Sequence, residues 1–295
     1  MLAARKGHAQ STTSKKCPEN DPQASNTRIY GMGMAICPIE MVDTVKAEEM
    51  TWYEFSDRVR EDVVFLPVGA TEQHGPHLPL GVDVVLPSRL CERIAAETGG
   101  LVLPPIPYGG RSQTESGGGP SFPGTIDLRG SNLLNQVKDI IAEVVDDGAR
   151  RIFVMSGHFE NNSFVREAID QFLIESDEEV QFVFATTFTF IPDSFKEEVF
   201  EDFPGGYPGD NKEHAGVFET AMMLHFDPSL VAMDKIGDVE APRSTAYRVK
   251  PAPEDTIPET GLFIDPSTAA SAELGERVVT RIVDSAVEVV ESELQ

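Results

Sequence analysis

Short, continuously apolar segments alternate with amphipathic helical segments along most of this 295-residue chain. The apolar segments span 62–70, 101–106, 151–155 and 180–190, and helical spacing of apolar residues occurs at 51–60, 84–98, 131–147, 162–174, 216–226 and 267–294. A strand that is apolar on both faces must be buried on both faces, and helices between such strands allow parallel pairing. The sequence therefore predicts an α/β fold with a parallel sheet covered by helices on each side.

Two motifs that combine carboxylates with imidazoles follow two of the predicted strands. The first contains Glu72, His74 and Asp83, and the second contains His158 and Glu160. Because ligands bind at the carboxyl ends of strands in such sheets, we expect these five side chains to share one edge. Carboxylate and imidazole without thiolate suit Zn²⁺, Mn²⁺ or Mg²⁺ held for hydrolysis, and five ligands favour a two-metal site. The alternative is that these residues have only structural roles, with Asp83 as a helix cap and Glu160 as an acidic residue in the first turn of a helix.

A third acid–imidazole pair, Glu213-His214, precedes the helix predicted at 216–226 and places Glu219 in its early turns. A histidine just outside a metal site can transfer a proton to a leaving nitrogen, with an adjacent carboxylate to position it. The alternative is an ordinary helix N-terminus. The glycine-rich segment 112–119 lacks the Lys-Ser/Thr ending of a phosphate loop, so it favours a small polar ligand or a mobile surface loop over a nucleotide.

Composition excludes several classes of partner. The net charge of −25 argues against binding to nucleic acid or to an anionic membrane. The longest apolar runs are too short to span a bilayer, and three scattered cysteines without a CxxC pair favour a reducing cytoplasm. The acidic residues are dispersed, which suggests adaptation to a salt-rich cytoplasm, although moderate acidity is also common in cytosolic proteins.

The first 45 residues differ from the remainder of the chain. They are polar and lack an apolar period, which predicts a disordered tail before a single metallohydrolase domain at 46–295. Met32, Met34 and Met41 are alternative starts, so part of this tail is a candidate for a misassigned reading frame. A regulatory tail is the other interpretation.

From about Met50 to the C-terminus the chain resembles the creatininase family. The likeness is carried by four segments: TEQHGPHLP at 71–79, SGGG at 116–119 with FPGT at 122–125, GHFEN at 157–161, and EHAGVFET at 213–220. The first is diagnostic of the family, and the others are closer to creatininase proper. The resemblance implies a three-layer α/β/α subunit with a mostly parallel central sheet, a homohexamer, and two divalent ions, Zn²⁺ with Mn²⁺, Mg²⁺ or a second Zn²⁺.

The resemblance also assigns roles to individual residues. The five metal ligands are shared between two ions: Glu72 and His158 on one, His74 and Glu160 on the other, and Asp83 as the bridge. Glu160 is also expected to be essential for turnover. His214, beside Glu213, is the expected proton-transfer residue, and Ser112 and the backbone of Phe159 are expected to face the substrate. The family resemblance thus implies hydrolysis of a small cyclic amide by metal-activated water.

The chain departs from the family around the substrate. Creatinine-hydrolysing members surround the substrate ring with tryptophans, whereas the only tryptophan here is Trp52, outside the matching segments. Phe188 and Asp210 align with the two indole positions; Phe188 can stack on a ring, and Asp210 can pair with a cation. We expect a cytoplasmic amidohydrolase that converts creatinine to creatine. The alternatives are a formamide-type deformylase, a modified-peptide hydrolase, and a metal-binding protein without catalysis.

Overall fold

The structure is a computed structural model that describes residues 44–117, 119–244 and 247–295. The predicted disordered tail therefore lies outside the described residues, except for its last two. Of these, Val45 accepts a hydrogen bond at its carbonyl oxygen from the backbone N–H of Val102, at 2.7 Å. The ordered chain thus joins the sheet region at least one residue before the predicted boundary.

Four parallel strands form the central sheet of the described residues. They are β1 (Val64–Val68), β2 (Leu101–Val102), β3 (Arg151–Ser156) and β4 (Gln181–Thr186), in the order β2-β1-β3-β4. Every residue of β1 is buried. This confirms the predicted parallel sheet, whose central strands are apolar because both of their faces are covered.

Helices cover both faces of the sheet, as the sequence predicts. They are α1 (Trp52–Arg58), α2 (Val82–Thr98), α3 (Gly130–Asp146), α4 (Asn162–Glu175), α5 (Asp193–Val199), α6 (Val217–Phe226) and α7 (Ala272–Glu293). Alternate side chains of β1 enter two separate apolar cores, since Phe65 packs with α2, α6 and α7 while Val64 and Leu66 pack with α3 and α4. Among the described residues, no helix has the length and apolarity needed to cross a membrane.

Several elements differ from the sequence prediction, and for three of them the local reason is clear. β2 ends after Val102 because Pro104 and Pro105 have no N–H to donate to a neighbouring strand. β4 ends at Thr186, where a turn begins with a hydrogen bond from the N–H of Thr189 to the carbonyl of Thr186, at 3.1 Å. The helix α5 was not predicted, because its seven residues are too few to show a periodic apolar pattern.

Two glycines at the exits of β1 and β3 allow the first turn of α2 to approach the sheet closely. A side chain at Gly69 or at Gly157 would overlap the carbonyl oxygen of Asp83. The N-cap of α2, Gly81, has by contrast no atom within 4 Å of the place where its Cβ would lie. The sheet therefore fixes the position of Asp83 through contacts that only glycine permits.

We predict that Gly157→Ala lowers the free energy of unfolding by about 1–3 kcal/mol, because the added methyl group would displace the backbone of α2. Gly81→Ala is the matched control, since its methyl group enters open space, and we expect a change within about 0.5 kcal/mol. Urea denaturation of both variants measures the difference. Equal unfolding free energies would show that α2 does not depend on this close approach.

Candidate active site

The backbone brings three separate segments to one place at the carboxyl ends of β1 and β3. After β1, the N–H of Glu72 donates to the carbonyl of Leu80 at 3.0 Å and closes the loop that leads into α2. Gly75, at the turn of this loop, has a φ of 66°, which favours glycine. After β3, the N–H of Gly157 donates to the carbonyl of Val68 at 2.9 Å. These bonds place His158 beside Glu72 and the first turn of α2.

Asp83 lies between two imidazoles. Its Oδ1 is 3.1 Å from Nε2 of His74, and its Oδ2 is 3.1 Å from Nδ1 of His158. The same Nδ1 of His158 is 3.1 Å from Oε2 of Glu72. These four side chains are all buried, with at most 4% of each exposed. The structure thus brings together four of the five predicted metal ligands around a single central carboxylate.

Backbone carbonyls orient both imidazoles. Nδ1 of His74 lies 3.1 Å from the carbonyl oxygen of Glu72, and Nε2 of His158 lies 3.2 Å from that of Gly110. If each of these nitrogens donates its proton to the carbonyl, the other nitrogen of each ring presents a lone pair to Asp83. This arrangement is typical of histidines that bind metals.

Glu219, on the first turn of α6, is a member of the cluster that the sequence analysis missed. Its Oε2 is 3.6 Å from Nε2 of His74 and accepts a hydrogen bond from the N–H of Ala215 at 2.7 Å. His74, His214 and Glu219 form one group with the spacing needed to hold an ion, and Glu72, Asp83 and His158 form a second. The available signal is that Glu219 lies six residues after Glu213, but an acidic residue in the first turns of a helix is also common without any function.

Glu160, the fifth predicted ligand, lies on the outer side of His158. Its Oε2 is 3.4 Å from Nε2 of His158, whereas the other carboxylates of the cluster face Nδ1. Its Oε1 accepts a hydrogen bond from the hydroxyl of Ser116. Burial raises the pKa of Glu160, and the charge of His158 opposes that shift. Glu160 therefore lines the cleft on the Nε2 side of His158.

His214 borders the cluster, whereas the neighbouring carboxylate points away from it. Nδ1 of His214 is 4.0 Å from Oε2 of Glu72, and its ring centroid is 4.3 Å from that of His74. Glu213 is fully buried and accepts a hydrogen bond from the N–H of Phe218 at 2.8 Å, so it caps the N-terminus of α6. In this structure Glu213 contacts the helix that follows His214 and does not line the cleft.

Most of the predicted substrate-facing residues line the cleft above this cluster. Phe159 is half exposed there, Phe188 is nearly buried, and Asp210 is on the same wall. Ser112 is the exception, because it is buried away from the cleft and its hydroxyl has no hydrogen-bond partner among the described residues. Ser116, four residues later, lines the cleft instead.

The buried charges of the cluster shift one another's pKa values. Burial disfavours the charged form of His74, but the carboxylates of Asp83, Glu219 and Glu72 outweigh it and raise its pKa to about 10. Burial likewise disfavours the ionised form of Asp83, but the neighbouring His74 and His158 keep its pKa below its usual range. Burial raises the pKa of Glu219 to about 8, with His74 opposing the shift.

The donor set fits divalent cations. Both carboxylate oxygens of Glu72 and Oδ2 of Asp83 are buried and have no hydrogen bond from the described residues, although Nδ1 of His158 is close to two of them. Carboxylates in such a position cost several kcal/mol each unless a cation neutralises them. Oxygen and imidazole donors without sulfur are those preferred by Zn²⁺ and Mn²⁺ in hydrolytic sites.

Several known proteins are similar to this chain in sequence. The creatininase family profile, described as creatinine amidohydrolase, matches residues 48–290. Creatinine amidohydrolase of Pseudomonas putida is 38% identical over 259 residues, which cover 86% of this chain and 98% of that protein. Mycofactocin precursor peptide peptidase of Mycolicibacterium smegmatis is 27% identical over 230 residues, which cover 75% of this chain and 81% of that protein.

Solved structures show the same fold. A creatininase mutant complexed with creatine superposes with a TM-score of 0.81 at 38% identity and covers 85% of this chain and 99% of its own. A manganese creatininase superposes with a TM-score of 0.80 at 38% identity and covers 85% of this chain and 100% of its own. The family inferred from the four motifs is thus confirmed, and this chain belongs to the creatininase family of amidohydrolases.

Proposed function

We propose that this protein hydrolyses the cyclic amide of creatinine to give creatine at a centre of two divalent cations. The observation that carries the proposal is the position of Asp83, whose two oxygens face His74 and His158 on opposite sides. A carboxylate between two such ligands is suited to bridging two ions. The 38% identity with a creatinine amidohydrolase supports this substrate.

The two groups of side chains on either side of Asp83 are the proposed ion sites. Glu72 and His158 would hold one ion, and His74 and Glu219 the other. This second pair differs from the set implied by the resemblance, because Glu219 is 3.6 Å from Nε2 of His74, whereas Glu160 faces Nε2 of His158. Two such ions, when bound, lower the pKa of water and polarise a carbonyl group.

The remaining residues of the cleft act on the substrate. Phe159 and Phe188 provide apolar walls for a small ring and exclude water from it. Hydrolysis of an amide places a hydroxyl group on the carbonyl carbon and a proton on the departing nitrogen. We assign His214 to that nitrogen, because its ring lines the cleft and its Nδ1 borders the cluster at Glu72. Glu213 positions His214 by capping α6.

Asp210 favours a second substrate class, namely other small amides with a cationic or hydrogen-bond-donating group. Its Oδ1 accepts hydrogen bonds from the hydroxyl of Tyr207 at 2.6 Å and from Nζ of Lys196 at 3.1 Å. This carboxylate occupies the wall where creatinine-hydrolysing relatives are expected to place an indole. It cannot stack on a ring, but it can accept a hydrogen bond from a substrate.

Three features, of which the resemblance implies the first and composition suggests the other two, stay predictions. They are the homohexameric assembly, the cytoplasmic location, and the single domain at 46–295 preceded by a disordered tail. Light scattering of the full chain measures the first. A mass other than that of six chains would remove the hexamer while leaving the chemistry of the cleft unaffected.

We predict that the protein loaded with Zn²⁺ or Mn²⁺ converts creatinine to creatine, and that exhaustive chelation abolishes the conversion until metal is restored. Creatine formation in a panel that also contains formamides and short peptides measures both substrate and metal dependence. If the protein hydrolyses another amide of the panel but not creatinine, that amide class is its substrate and the creatinine proposal is wrong. Turnover that survives chelation would contradict the two-ion centre.

We predict that Asp83→Asn lowers the bound divalent metal from two ions to at most one and reduces kcat by at least about 100-fold, because an amide cannot bridge two cations as a carboxylate does. Asp170→Asn, an exposed change on α4, is the control and should leave both quantities unaltered. Atomic absorption and initial rates measure the two effects. Full metal content in Asp83→Asn would contradict the bridging role.

We predict different outcomes for the two glutamates near the cluster. Glu219→Gln should lose the ion on the His74 side, because a neutral amide binds a divalent cation more weakly than a carboxylate. Glu160→Gln should abolish turnover while the fold persists, since its carboxylate borders the cleft. Metal analysis, rates and thermal unfolding of both variants separate the effects. Near-normal rates in Glu160→Gln would show that this carboxylate is dispensable.

A further inference from the structure

Gln73, between the two proposed ligands of the first motif, makes a set of buried contacts that the proposed function does not use. Its Nε2 lies 2.6 Å from the carbonyl oxygen of Gly117, 3.2 Å from that of Gly261, and 2.9 Å from Nε2 of His214. Its Oε1 accepts a hydrogen bond from the N–H of Gly75 at 2.8 Å. The side chain thus connects the glycine-rich loop, a second loop and the ring of His214.

These contacts determine the orientation of the amide. Gly75 offers only a donor, so it must face the amide oxygen, and the carbonyls of Gly117 and Gly261 offer only acceptors, so they must face the amide nitrogen. Rotation of the amide by 180° would place its oxygen against the carbonyl oxygen of Gly117 and its NH₂ group against the N–H of Gly75. Both contacts would be repulsive. The NH₂ group of Gln73 is therefore the part that faces His214.

The orientation of Gln73 then determines the proton position on His214. An NH₂ group has two hydrogens and accepts nothing; its two shorter contacts, to the carbonyl of Gly117 at 2.6 Å and to Nε2 of His214 at 2.9 Å, use them, and the carbonyl of Gly261 at 3.2 Å is the weaker third contact. If Nε2 of His214 carried a proton, two N–H donors would face each other at hydrogen-bond distance, which is unfavourable. The neutral ring avoids this only when Nε2 accepts and Nδ1 carries the proton. Nδ1 is the nitrogen that faces Glu72 and the cluster.

We infer that Gln73 is a positioning residue that holds His214 as the Nδ1–H tautomer, so that its ring meets the reacting amide as a hydrogen-bond donor and is not a metal ligand. This inference rests on the proposed function for the identity of the reaction. Distance alone would allow His214 to be either a hydrogen-bond donor or a metal ligand, since it also lies within ligand spacing of His74 and Glu219. The tautomer distinguishes these two roles. Metal binding at Nδ1 requires a lone pair there and a proton on Nε2, which Gln73 opposes.

The tautomer also restricts what His214 does in the reaction. With its proton on Nδ1, the ring has no lone pair directed at the cleft and does not take a proton from water. It can stabilise charge that develops on the departing nitrogen or on the carbonyl oxygen by donating a hydrogen bond. A neutral histidine that acts as an electrophile is an established catalytic pattern.

Neutron crystallography of the zinc-loaded full chain tests the inference directly. We expect a deuteron on Nδ1 of His214, none on Nε2, and both deuterons of the Gln73 amide on the side of Gly117 and His214. A deuteron on Nε2, or zinc within bonding distance of Nδ1, would overturn the inference. This result does not depend on turnover of creatinine, so failure of the proposed substrate and failure of the inference are distinguishable.

Gln73→Glu provides the functional test, because its carboxylate accepts a hydrogen bond from Nε2–H of His214 and favours the opposite tautomer with little change in volume. We expect kcat for the substrate that the protein turns over to fall by at least about 100-fold, with KM changed by less than about threefold. Gln136→Glu adds the same charge on the exposed face of α3 and should leave both constants unchanged.

Metal content and the thermal unfolding midpoint of Gln73→Glu are measured alongside the rates. A loss of kcat with two ions bound and an unchanged midpoint supports the positioning role. Unchanged kcat in a folded, metal-loaded variant would contradict it. If the variant fails to fold or to hold metal, the neutron structure of the unaltered protein decides the question.

Discussion

The burial of one carboxylate between two imidazoles is the constraint on which the rest of this structure depends. Asp83 is almost completely removed from water, and each of its oxygens is 3.1 Å from a histidine nitrogen. Burial of an ionised carboxylate costs several kcal/mol unless opposite charge compensates it. The fold holds this group in place by packing α2 onto two glycines at the strand exits, so side-chain chemistry and backbone packing determine the same position.

The hydrogen bonds behind the cluster determine what each nitrogen can do. Backbone carbonyls lie beside the far nitrogens of His74 and His158 and leave the near ones for ions. His214 differs from these two histidines, because its Nε2 lies beside the NH₂ group of Gln73 and not beside a carbonyl. A donor behind one ring and acceptors behind the other two thus distinguish, within one cluster, the proposed hydrogen-bond donor from the proposed metal ligands.

Much of this arrangement could be predicted from the sequence. The apolar segments and their following motifs predicted the parallel sheet, and the strand exits placed Glu72, His74 and His158 at one edge. The motif spacing did not reveal that Glu219 lies beside His74, because this partner is more than 140 residues away in the sequence and only the packing of α6 brings the two together. The same limit applies to Ser112, whose burial depends on tertiary packing that no local pattern records. Glu213 is different, because it caps α6 from five residues away, as in the helix N-terminus alternative.

The central claim is that Asp83 joins two ion sites. X-ray diffraction from crystals of the zinc-loaded protein, recorded on both sides of the zinc absorption edge, tests it most directly. The account predicts two anomalous peaks, one on the His74 side of Asp83 and one on the His158 side. A single peak, or two peaks that do not share Asp83, would contradict it.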